Sequence, residues 1–131
     1  MLQRYVLIAN AIISGLLGLG LIFAANTVLG IYGGMSMEPA TDRLLGSALV
    51  GIAVLNFLAS GVEGIEARRP VLVANFVYNV LAVLVLLPSL MGANAAVWST
   101  IVVAVIFAIA FGYLAVGAYR SVATEPRSIA G

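Results

Sequence analysis

Four side-chain amides, Asn10, Asn56, Asn75 and Asn79, stand inside stretches of otherwise apolar sequence, and Tyr113 stands inside another. A carboxamide offers two donors and an acceptor and does not titrate, so its chemistry is hydrogen bonding rather than proton transfer. Asn10, Asn75 and Asn79 lie one or two helical turns from the start of their runs, and Asn56 and Tyr113 as far from the finish of theirs, so four helices of alternating direction would bring them to overlapping depths. Asn75 and Asn79 share a helix face with Tyr78 close by, and Asn56, Ser60 and Glu63 share another that leads outward. The spacing predicts one polar layer, to which every helix contributes, with its members hydrogen-bonded to one another. Three uses fit such a layer. It can be interhelical glue, a pocket open to the cytoplasm that binds a small ligand or lipid headgroup, or a polar patch at a subunit interface.

Other chemistries are excluded by residue type. The chain has neither cysteine nor histidine. Disulfides, bis-histidine haem, Ser-His and Cys-His catalysis, and nearly all zinc sites are therefore out of reach. No catalytic residue, metal ligand or cofactor site is assigned. The net charge of +1 is too small to suggest nucleic acid as a partner. Glu63 and Glu66, beside Arg68 and Arg69, read as a solvated ion cluster at the membrane interface, with a gating or proton-handling role for Glu63 as the alternative. The apolar runs contain no Asp, Glu, Lys or Arg, although proton-coupled transporters usually keep an ionisable group there.

The elements that position the layer follow from hydropathy. The 131-residue chain is 63% hydrophobic and 8% charged, with a mean hydropathy of +1.18. Water does not solvate such a surface, so lipid is the solvent. A helix needs roughly 20 apolar residues to cross about 30 Å of hydrocarbon. Four runs qualify, at residues 5–25, 44–62, 71–90 and 95–119. The expectation is an all-α fold: one domain over residues 1–131, a transmembrane four-helix bundle, antiparallel and up-down-up-down. The first run is longer than a leader's apolar region and lacks a clean small-x-small site after Phe23, so it reads as a retained span.

Punctuation suggests boundaries. Ser36-Met37-Glu38-Pro39 reads as a helix start, so the second helix is expected to begin near Met37. Arg68-Arg69-Pro70 is expected to end one helix and open the next. Pro88 should kink or stop the third span, and Asn94 should cap the fourth. The segment from Asn26 to Arg43 reads as a long outer loop broken by Gly30, Gly33 and Gly34, lying on the interface, folded over the bundle, or docking a partner. Arg4, Arg68, Arg69, Arg120 and Arg127 fall on one side of such a bundle and only Arg43 on the other. The positive-inside rule then puts both termini in the cytoplasm.

In lipid, close backbone approach replaces the hydrophobic effect as the force between helices. Small residues recur four apart at Ala11 and Gly15, Ser14 and Gly18, Ser47 and Gly51, and Ala104, Ala108 and Gly112. These are candidate packing positions within the bundle, the fourth-helix stripe also being a candidate self-association face.

Arg43-Leu44-Leu45-Gly46, Asn56-Phe57-Leu58-Ala59, Arg68-Arg69-Pro70 and Ala74-Asn75-Phe76-Val77-Tyr78-Asn79 form an ordered pattern over spans two and three. It resembles small four-helix bacterial membrane proteins of unassigned function, loosely like the DoxX-type group. The resemblance implies the fold and a bacterial inner membrane, and it carries over no catalytic residue. The small multidrug transporters share the helix count but rely on a glutamate in the first helix, where this chain has Asn10 and Ser14. The leading expectation is a non-catalytic accessory or structural subunit that packs against other membrane proteins. The alternative is a binding or transport module in which the polar layer faces a neutral solute, a lipid or a quinone-like molecule.

Overall fold

A computed structural model describes residues 1–34, 39–90 and 94–124. The described residues form four long helices, α1 (Leu2–Ile31), α2 (Pro39–Gly61), α3 (Ile65–Leu86) and α4 (Ala95–Thr124), with a 3-10 turn at Leu87–Leu90. All four are long and apolar enough to cross a membrane, and a third or less of each span is buried. Large apolar side chains such as Leu16, Phe23, Phe57 and Ile109 point outward. That surface belongs in lipid, where helices satisfy every backbone amide internally.

The helices exceed the apolar runs in ways that correct the expected boundaries. α1 does not stop at Ala25 but continues through Asn26 and Gly30 to Ile31, so much of the expected outer loop is helix. The stop is built by hydrogen bonds from Gly33 N–H to Gly30 O and from Gly34 N–H to Leu29 O, with Gly33 at φ +80°. This is a Schellman ending, which requires a left-handed residue that glycine supplies without strain. Within α1 the backbone leaves helical geometry at Ala24 (φ −141°, ψ 45°). The kink folds Val28 back onto Gly20, where an added Cβ would meet the valine methyl at 2.7 Å. α2 is helical from Pro39, and the proposed cap at Ser36 lies outside the described residues. α3 opens at Ile65, after Gly64 at φ +99°, so Arg68-Arg69-Pro70 sit inside its first turns rather than between helices. Pro70 leaves a carbonyl of the preceding turn without its N–H partner, a loss that water at the helix end can make good. Pro88 falls in the 3-10 turn after α3. The Asn94 carboxamide oxygen accepts the N–H groups of Ala96 and Val97 at 3.1 Å and so caps α4.

Close glycine contacts set the tightest pair. A Cβ on Gly18 would lie 2.7 Å from the Gly46 carbonyl oxygen, and one on Gly46 would lie 2.6 Å from that of Gly18. Gly15 faces Ala53 on the same seam, so each step along α1 matches a step back along α2. Gly46 is a packing residue that the four-residue spacings did not single out. Gly51 is the converse correction: it is exposed, with nothing within 4 Å of an added Cβ. In α4, Gly112 receives the edge of the Phe76 ring and Ala104 is buried, whereas Ala108 is half-buried. α1 with α2, and α3 with α4, form two intimate hairpins, and the contacts between the hairpins are sparse.

One end of the bundle gathers the start of α1, the end of α2, the start of α3 and the end of α4. There Leu7, Ala59, Leu72, Phe111, Leu114, Ala115 and Ala118 make the apolar core. Phe107 stacks on Phe111 at 5.8 Å between centroids, and the Arg69 guanidinium lies 4.5 Å over the Tyr119 ring. Gly18→Ala should push α1 from α2 and destabilise the detergent-solubilised protein by about 1–3 kcal/mol, as overpacking does. Gly51→Ala should be neutral or stabilising by up to about 1 kcal/mol, from helix propensity alone. Equilibrium unfolding in mixed micelles measures both.

Candidate functional site

Directly beneath the core lies a cluster of amides centred on Asn75. The Asn75 and Asn56 carboxamides face each other in a reciprocal pair, with Asn75 Nδ2 donating to Asn56 Oδ1 at 2.6 Å and Asn56 Nδ2 donating to Asn75 Oδ1 at 3.1 Å. Asn10 Nδ2 donates to the same Asn75 Oδ1 at 2.7 Å. Asn75 Nδ2 also donates to Val71 O at 2.8 Å. Asn75 therefore uses both N–H groups and both lone-pair directions, and it ties α1, α2 and its own helix to one side chain. All three amides are buried, Asn56 completely. In lipid an unmet amide has no water to turn to, so this closure is what allows three of them inside.

The rest of the expected layer divides. Ser14, one turn beyond Asn10, is buried and directs its hydroxyl at Asn10 Oδ1 over a long 3.5 Å. In the sequence Ser14 reads as half of the Ser14–Gly18 packing pair, yet its spacing of four from Asn10 also places it on the amide face. Asn79 is buried and donates Nδ2 to Asn75 O within its own helix at 2.8 Å. Ser60 is buried but donates to Phe57 O, one turn back in α2, and bridges no helices. Tyr78 is partly exposed beside Asn79. Two residues fall outside the layer. Glu63 is exposed in the turn between α2 and α3. Tyr113 is 74% exposed and lines a shallow outer groove of α4 with Gly112, Val116, Gly117 and Arg120. Its depth matched the amides, but its helical phase points it away from the bundle.

A cavity of about 100 Å³ opens on the far side of the amide cluster, between the two hairpins. Asn10, Ser14, Tyr78, Asn79 and Thr100 give it polar walls, and Leu17, Leu49 and Phe107 are among its apolar ones. It is half-open, with Ile13 and Tyr78, each more than a third exposed, at the rim. Beyond it a second polar clasp joins α1 to α4. Tyr32 Oη and Thr100 Oγ1 are 2.9 Å apart, and Asn94 Nδ2 donates to Ile31 O at 2.9 Å. No carboxylate, guanidinium or ammonium lines the cavity.

Comparison of the chain with protein-family models, with curated proteins and with solved structures finds no match.

Asn75→Leu removes the hub and strands an Asn10 N–H and both ends of the Asn56 amide. It should lower unfolding free energy by about 1–3 kcal/mol, the range for buried groups left unsatisfied. Ser60→Ala and Tyr113→Phe should stay within about 0.5 kcal/mol of the parent, because neither bridges helices. Reversible unfolding by a denaturing detergent distinguishes the two classes.

Proposed function

We propose that this chain is a non-catalytic integral membrane protein, a small accessory or structural subunit that packs against other membrane proteins inside the bilayer. The observation that carries the reading is the closed amide cluster: the most deeply buried polar groups bind one another, with Asn75 fully satisfied. Among the described residues few lie outside the four helices, whose outward faces are broad and apolar. Such a molecule has more to offer neighbouring helices than water-soluble substrates. The arginine distribution supports a cytoplasmic location for both termini, and the DoxX-like pattern supports a bacterial inner membrane.

Gentle extraction from native membranes into lipid-preserving particles, followed by mass measurement, tests the role. The chain should run within a larger assembly, and isolation as a self-sufficient active unit would contradict the proposal. Because the chain has no cysteine, single-cysteine labelling tests sidedness cleanly. A membrane-impermeant maleimide on intact cells should label Gly34→Cys and spare Gln3→Cys.

A second reading, a binding module, is favoured by one observation. The inter-hairpin cavity is bordered by amides and hydroxyls of the layer's deeper edge rather than by methyl groups alone. A small neutral solute, a lipid or a quinone-like molecule fits this reading.

A further inference from the structure

We infer that the inter-hairpin cavity is a binding site for a neutral hydroxyl-bearing group, of which the part inside the cavity is no larger than one six-membered ring. The inference rests on the binding-module reading and names its ligand class.

Asn79 carries it. The residue is only 4% exposed and lines the cavity. Its Nδ2 is held by the Asn75 carbonyl oxygen, which can only accept, so the amide oxygen must face the other way. Among the described residues no donor reaches that oxygen. Nor is it sealed in protein: the one buried side-chain polar atom there without a partner is Arg68 Nε. Asn79 Oδ1 is thus an acceptor turned into the cavity. Donors converge on the same space. Asn10 Nδ2 has a second N–H beyond the one given to Asn75, and the Tyr78 hydroxyl has no partner among the described residues. A ligand that both donates and accepts fits this set, and a hydroxyl does both through one atom.

Charge and size narrow the class. No carboxylate, guanidinium or ammonium lines the space, so an ionic ligand would lose its hydration with no opposite charge to replace it. Phe107, Leu17 and Leu49 provide apolar walls for the rest of the molecule. A closed apolar cavity of about 150 Å³ accepts a benzene ring. This one, about 100 Å³ and half-open, holds a ring that projects through its mouth. The group can belong to a free solute or form the neutral head of a larger amphiphile whose body lies in the surrounding lipid.

Phenol is the probe and benzene its partner without the hydroxyl. Both are titrated into the full-length protein in phosphatidylcholine nanodiscs, with the Asn79 side-chain amide followed by NMR. Phenol should shift that signal and bind at least tenfold more tightly than benzene. Asn79→Leu keeps the size and disturbs no interhelical bond, so it should fold and bring phenol down to benzene's affinity, read from the ligand's own signals. Ala104→Phe fills the space and should abolish both, with Ala82→Leu as a milder filling variant should that chain fail to fold. Displacement of phenol by a diacylglycerol doped into the discs assigns the hydroxyl to an amphiphile. Failure to displace assigns it to a free solute, and either result supports the class. Equal binding of phenol and benzene, both lost on filling, would overturn the hydroxyl class while leaving a binding site. No saturable binding of either would overturn both.

Discussion

A buried carboxamide in hydrocarbon must find its partners within the protein, because lipid supplies none. The arrangement around Asn75 follows from that constraint. Its side chain meets Asn10 from α1 and Asn56 from α2, and its remaining N–H returns to Val71 one turn back. The individual bonds are modest, averaging about 0.6 kcal/mol between membrane helices. Their value lies in specificity: this register of α3 against α1 and α2 is one in which Asn75 meets Asn10 and Asn56 at once.

That role matters because apolar packing alone joins the hairpins weakly. Within α1 and α2, the facing glycines at 18 and 46 allow backbone contact. Within α3 and α4, Phe76 lies against Gly112. Between the pairs there is a looser seam, held at one level by the amides and at another by Tyr32 with Thr100 and Asn94 with Ile31. The cavity occupies the space between these two polar levels, where the fold has neither close glycine contacts nor a closed network. A site for a neutral group thus arises where the packing is least complete, and its polar lining is the unfilled edge of the network that holds the hairpins together.

Much of this was legible from residue order. The apolar runs are long enough to demand four helices, and the depth of Asn10, Asn56 and Asn75 in three of them follows from counting turns. What counting depth omits is phase. Tyr113 shares the amides' depth yet faces outward, and Gly51 repeats the small-residue spacing without meeting a neighbour. Gly46 was invisible for the opposite reason, since its significance lies in facing Gly18 on another helix. Hydropathy also places the ends of apolar runs rather than of helices. α1 passes Asn26 and stops only where Gly33 can adopt a left-handed backbone. The kink at Ala24 involves no proline and brings Val28 against Gly20, a contact between residues eight apart that no local pattern announces.

The central claim is that the amide of Asn75 is saturated by protein groups inside a lipid-embedded bundle. Solid-state NMR of asparagine-labelled protein in deuterated-water bilayers tests it directly. The account predicts through-space correlations from the Asn75 side-chain amide to both Asn56 and Asn10, with amide protons that resist exchange. Correlations from Asn75 to lipid acyl chains, or rapid exchange with water and no contact to either partner, would contradict it.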